Sequence, residues 1–303
     1  MSIQITVNGY FRSGTTLLWK FFKENLKNHK CFYEPLHPRL ALQIRNAEKD
    51  KVHEAKLHEE YLSLDETTIN QILSHNPNTT DFGITCEKEL TEYLNLYDNL
   101  AENVLLQPNR AHFYLDFIAK TYDSRLIHVI RHPLDVYKSM TKTSFRDKKW
   151  KTLIEKSRNQ FNLFELKKDY NWIVRHTGHP AKHYHNWKTR FIEHLPSFNK
   201  FVVVWTISNY YAIKSVKKNK GMLLVYENIL NNPEESFKSV SKHLNINNYN
   251  IPNIKQNNKN KFSEKELKRL HRKIREFGIE KEFDFVINEI KNQGVDYLNP
   301  TKM

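Results

Sequence analysis

The residues most suited to chemistry lie near the start of the chain, in Val7-Asn8-Gly9-Tyr10-Phe11-Arg12-Ser13-Gly14-Thr15-Thr16. Gly9 and Gly14 let the backbone come close to a ligand, and Arg12 brings a charge with directional donors. Amides from Ser13 to Thr16, at the start of an expected helix, could cradle a phosphate, with the Thr15 and Thr16 hydroxyls as further donors. A plain strand-to-helix turn capped by Ser13 would use the same residues without a ligand. The spacing is not Gly-x-x-x-x-Gly-Lys-Ser/Thr, because Arg12 precedes the second glycine and no lysine follows it. The loop therefore points to an anionic cofactor more than to ATP hydrolysis.

Such a loop needs a strand before it and a helix after it. Ile3 to Val7 is short, apolar and β-branched, as a buried parallel strand should be, and Leu17, Leu18, Trp19, Phe21, Phe22 and Leu26 repeat at helical spacing. Cys31-Phe32-Tyr33, Val104-Leu105-Leu106, Leu126 to Ile130 and Leu223 to Tyr226 read as further strands. Helices are expected over Ala111 to Tyr122, Leu134 to Met140, Phe201 to Val216 and Pro233 to Leu244, although Phe201-Val202-Val203-Val204 could instead begin as a strand. Ser263 to Phe277 reads as a C-terminal helix, with Ser263 as cap and Glu266 as its capping-box partner. Arg45 to Asn76 is polar and carries no clear motif, and Asn247 to Asn260 reads as loop.

Alternating strands and helices predict an α/β fold: a P-loop-type, three-layer architecture with a central, mostly parallel sheet and helical insertions. Ligands on such sheets collect beyond the strand C-termini. That rule puts Gly9 to Thr16, Glu34, Gln107 to Arg110 and Arg131 on one rim. No Pro/Gly/Ser-rich linker divides the 303 residues, so a single domain is expected, with residues 145–200 as an insertion shaping an acceptor cleft. That insertion carries His176, His179, His183 and His185.

The formal charge of +14 would attract polyanions, but the basic residues form no tract with periodic aromatics, so nucleic acid is not the expected partner. Cys31 and Cys86 are too few for a disulfide framework or a zinc site, and no metal is required by the motifs present. The sequence opens without a secretion signal, and no apolar run approaches the ~20 residues that span a bilayer. The chain reads as soluble and cytoplasmic.

With these residues in place, the chain resembles the sulfotransferases that use 3'-phosphoadenylyl sulfate (PAPS). Their first signature, a basic residue followed by Ser-Gly-Thr-Thr between strand and helix, stands here as Arg12-Ser13-Gly14-Thr15-Thr16, with Phe11 where a proline is common. The resemblance implies that Arg12 and Ser13 to Thr16 hold the 5'-phosphosulfate. The second signature is Val129-Ile130-Arg131-His132-Pro133-Leu134-Asp135-Val136-Tyr137-Lys138-Ser139, in which Arg131 and Ser139 would bind the 3'-phosphate. Tyr226-Glu227-Asn228-Ile229 is similar to a late Tyr-Glu-Asp-Leu segment, with Asn228 at the Asp position. Trp205 falls where relatives approach the adenine, and would either stack there or serve the core.

The acceptor hydroxyl needs a base. Cytosolic small-molecule members carry Lys-Thr-His after the corresponding strand, but Gln107 and Asn109 occupy the Lys and His positions here and cannot replace them. Cys31-Phe32-Tyr33-Glu34-Pro35 instead resembles the glutamate placement of the tyrosylprotein branch, which implies Glu34 as general base. Arg110 either supplies charge to the site or faces solvent; His112 and His128 are alternative bases or core residues, and His112 could simply pack beside Asp116.

The implied function is transfer of a sulfonate from PAPS to a hydroxyl, leaving adenosine 3',5'-bisphosphate (PAP), with Glu34 and Arg12 catalytic. The resemblance lies nearer the carbohydrate and tyrosylprotein types than the phenol and steroid types, and a glycan is the first choice of acceptor. A tyrosine-containing peptide or a small alcohol stays open. So do an ATP-dependent small-molecule kinase and a nucleotide- or polyanion-binding module without catalysis.

Overall fold

The structure is a computed structural model; it describes residues 1–47, 57–77, 86–141, 153–179, 197–254 and 262–298. The apolar runs pair as five parallel strands, β1 (Ile3–Gly9), β2 (Lys30–Tyr33), β3 (Val104–Gln107), β4 (Arg125–Ile130) and β5 (Met222–Val225), in the order β2-β3-β1-β4-β5. With β1 in the middle, its C-terminal loop opens from the centre of the rim, where bound ligands gather on parallel sheets. The expected three-layer α/β architecture is present.

Alternation along the strands sends side chains to opposite faces. Leu105 of β3, Ile127 and Val129 of β4 and Ile5 and Val7 of β1 pack with Leu18, Trp19, Phe21 and Phe22 of α1 (Thr15–Asn25) on one face. Val104, Leu106 and Leu126 pack on the other with Leu115 and Ile118 of the Leu115–Tyr122 helix and Tyr93 and Tyr97 of the Glu87–Asp98 helix. Ile3 joins this second face although it has the parity of Ile5, because the β1–β3 register shifts between Ile3 and Ile5. The same alternation turns two polar residues of β1 away from α1. Thr6 Oγ1 lies 2.8 Å from Ser124 Oγ. Asn8, fully buried, donates from Nδ2 to His128 Nδ1 of β4 at 3.2 Å and accepts at Oδ1 from the Ala111 N–H at 3.2 Å.

The described residues cluster as two compact units: Met1–Ile130 with Ala212–Lys255, and Arg131–Tyr211 with Gln256–Met303. The first holds the sheet, α1, and the Tyr226–Asn231 and Pro233–Leu244 helices after β5. The second contains the Pro133–Thr141 helix, the long Leu153–Thr177 helix, the first part of Ser197–Lys218, and the pair Glu264–Phe277 and Glu280–Lys291. Residues 142–152 and 180–196 of the expected insertion, with His183 and His185, lie outside the described residues.

The sequence reading left Phe201 to Val204 open between helix and strand, and set the end of β5 one residue late. Phe201 to Val204 are helical, fully within Ser197–Lys218, where continuous burial hides any amphipathic period. Tyr226 begins a helix rather than ending β5. The Ser263–Glu266 capping box is formed in both directions, as the Ser-x-x-Glu spacing requires.

Removing the Asn8 amide leaves a buried N–H and a buried imidazole nitrogen without their partner. Asn8→Ala is expected to lower unfolding stability by about 2–3 kcal/mol, read from the urea midpoint at unchanged m. An unmoved midpoint would show that these bonds do not hold the rim together.

Candidate active site

At the end of β1 the chain turns through Arg12 at φ 67° and Gly14 at φ 93°, both left-handed. Ser13 N–H donates to Tyr10 O at 3.1 Å, and Leu17 N–H to Gly14 O at 3.0 Å. Gly14 is the N-cap of α1, no side chain caps the helix, and no acidic residue sits in its first turn. The plain Ser13-capped turn is therefore not what forms. An uncapped N-terminus keeps its positive end and unused N–H groups for an anion. A Cβ at Gly14 would lie 2.1 Å from Tyr226 Cδ2, so the glycine is required both by φ and by this ring. Arg12 is exposed, whereas Ser13 and Thr15 are buried.

A second turn follows β2. Glu34, at φ 49°, is also left-handed, an uncommon state for a residue with a Cβ. Its N–H continues the ladder to Gln107 O at 2.8 Å, and its carbonyl accepts from His37 N–H at 2.9 Å. Side chains from elsewhere in the unit hold the carbonyls of this turn: Tyr61 Oη donates to Tyr33 O at 3.3 Å, Tyr93 Oη to Pro35 O at 2.6 Å, and Asn76 Nδ2 to His37 O at 3.2 Å. The turn is also tied to the phosphate loop, since Thr16 Oγ1 lies 3.2 Å from Tyr33 Oη.

The third turn follows β3, which pairs with β2 in the register Tyr33↔Gln107. Asn109, left-handed at φ 54°, donates from Nδ2 to Glu34 Oε1 at 3.0 Å. Gln107 Nε2 donates to Thr15 O at 3.1 Å and so fixes the first turn of α1. Arg110 is 1% exposed, not solvent-facing, and its guanidinium lies 5.6 Å from the Phe11 ring centroid. Burial raises the Glu34 pKa above the usual carboxylate range, while the Asn109 amide and the Arg110 charge pull it back.

Beside this carboxylate, His37 Nε2 lies 3.9 Å from Glu34 Oε2. Burial, and then the charges of Arg110, His58 and Arg39, push the His37 pKa down to about 3, so the imidazole is neutral and the pair is not an ion pair. Its Nδ1 accepts from the Arg39 N–H at 2.9 Å, which leaves the ring proton on Nε2, the nitrogen nearer Glu34. His112 and His128 sit 5.6 Å apart between ring centroids, fully buried. Burial holds His112 far below its usual pKa. His112 packs by Tyr10, at 6.0 Å, and not beside Asp116, whose carboxylate takes Lys120, Lys218 and Asn219.

The other expected cofactor residues belong to the second unit. Arg131 directly follows β4 in the chain, and its carbonyl accepts from Trp205 Nε1–H at 3.2 Å. Trp205 is 1% exposed. His132 caps the Pro133–Thr141 helix by accepting from Leu134 N–H at Nδ1, 3.2 Å, and its Nε2 lies 3.3 Å from Tyr297 O. The ring stacks on Phe262 at 4.2 Å. Ser139 lies in the second half of that helix, partly buried; Lys138 beside it pairs with Glu266 at 2.7 Å.

The structure thus brings Arg12 to Thr16, Glu34 and Asn109 into one unit. It adds His37, Asn76, Tyr61 and Tyr93, which sequence reasoning did not single out, and it buries Arg110, which that reading left open between site and solvent. A His three residues after Glu34 was the one visible signal among them.

A raised Glu34 pKa means that the folded protein holds this proton more tightly than the unfolded chain does. Its contribution to stability is full below the ordinary glutamate value of about 4.3 and is lost as pH rises through the folded value. Glu34→Gln keeps an acceptor for the Asn109 amide and removes the buried charge. Calorimetry should find the variant with a higher Tm than the parent at about pH 8, and a difference that shrinks toward pH 4. A constant difference across that range would show that Glu34 ionises without penalty.

Comparison with known proteins agrees with the signatures. Residues 4–193 match the model described as a sulfotransferase family. A protein of Archaeoglobus fulgidus is 29% identical over 262 residues, covering 81% of this chain and 84% of that relative. Among solved structures, a sulfotransferase from Alicyclobacillus acidocaldarius aligns over 91% of this chain and 94% of its own at 12% identity, with a TM-score of 0.46. A sulfotransferase from Mycobacterium avium aligns over 81% of this chain and 64% of its own at 11% identity, with a TM-score of 0.40. With a family model spanning well over half of its residues, the chain belongs to the sulfotransferase family.

Proposed function

We propose that the protein transfers a sulfonate from PAPS to an acceptor hydroxyl, with a carbohydrate as first choice, and that Glu34 is the general base. The observation that carries this reading is the pairing, within one unit, of an uncapped helix N-terminus with a carboxylate fixed by the neighbouring strand's turn. The N–H groups of α1 and the exposed Arg12 suit a phosphosulfate, and Ser13, Gly14, Thr15 and Thr16 would hold it. Arg131 and Ser139 would take the 3'-phosphate, with Trp205 Nε1–H holding the Arg131 carbonyl. The donor supplies an activated sulfonate whose S–O bond to phosphate breaks as the acceptor O–S bond forms, releasing PAP.

The chain's own groups supply the rest. Glu34 takes the acceptor proton, and its raised pKa keeps it a stronger base than an exposed carboxylate. Arg12 and the loop amides stabilise charge on the transferring group and on the departing phosphate. The net charge of +14 suits a polyanionic glycan, and Gln107 and Asn109 in place of a Lys and His speak against a small phenol. Both cysteines are free thiols, which suits the reducing cytoplasm.

Sulfur-labelled PAPS with glycan, tyrosine-peptide, phenol and small-alcohol acceptors tests the reading. Label is expected on glycan. Glu34→Gln should lower kcat by about 10²–10⁴-fold while PAP affinity persists, and Arg12→Ala should weaken both. Failure of the folded protein to bind PAP would overturn the donor, label confined to another acceptor class would reassign the substrate, and full turnover by Glu34→Gln would remove Glu34 as base. Magnesium-dependent ATP consumption without sulfonate transfer would favour a kinase instead.

A further inference from the structure

We propose that Asn109 is the positioning residue of the Glu34 base: it ties Oε1 through Nδ2 and leaves Oε2, on the His37 side, as the oxygen that takes the acceptor's proton. The proposal rests on the assignment of Glu34 as base and adds which oxygen works and what sets it.

Two independent observations carry it. The first is the bond itself, Asn109 Nδ2 to Glu34 Oε1 at 3.0 Å, made by a residue 1% exposed to a side chain 14% exposed. A bond sheltered from water holds a carboxylate in one rotamer far better than the same bond on a surface. The second is the backbone. Glu34 at φ 49° and Asn109 at φ 54° both adopt the left-handed state, in adjacent turns joined by the Glu34 N–H to Gln107 O bond at 2.8 Å. Asparagine reaches this state several-fold more readily than most residues and still offers a directional donor. Glycine would satisfy the turn but leave the carboxylate untied.

Oε1 already accepts one hydrogen bond and is held by it, so Oε2 keeps the greater acceptor capacity for an incoming O–H. It faces the proton-bearing Nε2 of His37 at 3.9 Å, beyond hydrogen-bond length, so the imidazole does not take up this oxygen. The groups that bear on Glu34 come from every neighbouring segment: Arg110 from the turn after β3, Tyr33 from β2, His37 from its own turn, and Tyr61 from the Glu59–Leu62 helix. His58 and Arg39 act on His37. Asn109 carries no titratable group, and its amide favours the ionised carboxylate against burial. Deleting it changes no formal charge and should leave a base that ionises at higher pH.

The test is the pH profile of kcat/KM for sulfonate transfer in Asn109→Gly, which keeps the left-handed turn, and Asn109→Asp, which keeps the shape but replaces the donor by a like charge. The acid limb is expected to move up by about half a unit to one unit in Asn109→Gly and further in Asn109→Asp. In Asn109→Gly, kcat at neutral pH should fall about tenfold with the KM for PAPS unchanged. An unmoved acid limb in both variants, whatever happens to kcat, overturns the proposal, since a structural residue would lower the rate without shifting ionisation. Full turnover by Glu34→Gln overturns the base assignment and this inference with it. A lost rate in Glu34→Gln beside an unmoved limb in the Asn109 variants overturns this inference alone.

Discussion

A single buried side chain, Asn8, joins three segments that the candidate site needs in register. Its amide nitrogen reaches His128 on β4 and its carbonyl holds the Ala111 N–H, while its own backbone leads directly into the Gly9–Thr16 loop. The turn that carries Asn109 and Arg110 is therefore anchored to the strand that carries the phosphate loop. Both bonds are shielded from water, where an unpaired polar group is costly and a satisfied pair is correspondingly selective for one geometry. The apolar residues on either face would tolerate small sliding of one strand past another; a buried amide with two directional partners does not.

Of the non-glycine residues in the left-handed region among those described, three follow β1, β2 and β3 in turn: Arg12, Glu34 and Asn109. For arginine and glutamate such backbone costs of order 1 kcal/mol or more, and it persists only where the surroundings over-determine it. The surroundings here are identifiable. Tyr61, Tyr93 and Asn76 hold the carbonyls of the Glu34 turn, and Gln107 and Thr16 link the turns to α1. The Arg12 turn is closed by the Ser13 N–H to Tyr10 O bond. The aromatic hydroxyls thus act as struts. Burial among other rings raises the pKa of Tyr61 and Tyr93, so they remain neutral donors throughout the accessible pH range.

Much of this was legible in the chain. Ile3 to Val7 and Leu126 to Ile130 declare buried strands through continuous apolar, β-branched composition, and Gly9 and Gly14 mark a close approach that only glycine allows. Glu34 could be singled out because Pro35 follows it at a strand end. What stood beyond reach depended on pairing. Lys30↔Val104 and Tyr33↔Gln107 decide that Asn109 meets Glu34, and no periodicity in either segment encodes that register. Asn109 read as the loss of a basic group because its type was judged alone; its partner, 75 residues away, gives it a purpose. Tyr61 and Asn76 lie in the polar stretch without a motif, where a hydroxyl or amide aimed at a distant carbonyl leaves no pattern. The Glu280–Lys291 helix passed unrecognised, though its buried Phe283, Val286, Ile287 and Ile290 follow a helical spacing.

The strand order β2-β3-β1-β4-β5 also governs when the site can exist during folding. Every strand of the sheet pairs in parallel with a neighbour distant in the chain, so closing each pair costs loop entropy before any contact offsets it. Local helices such as α1 can flicker into place early; the meeting of Glu34 with Asn109 has to wait for β2 to dock on β3. A partly collapsed chain therefore carries the uncapped end of α1 without the Glu34 carboxylate fixed beside it. On the proposed reading, donor binding at α1 and turnover would return at different moments of refolding, the second gated by the docking of β2 on β3.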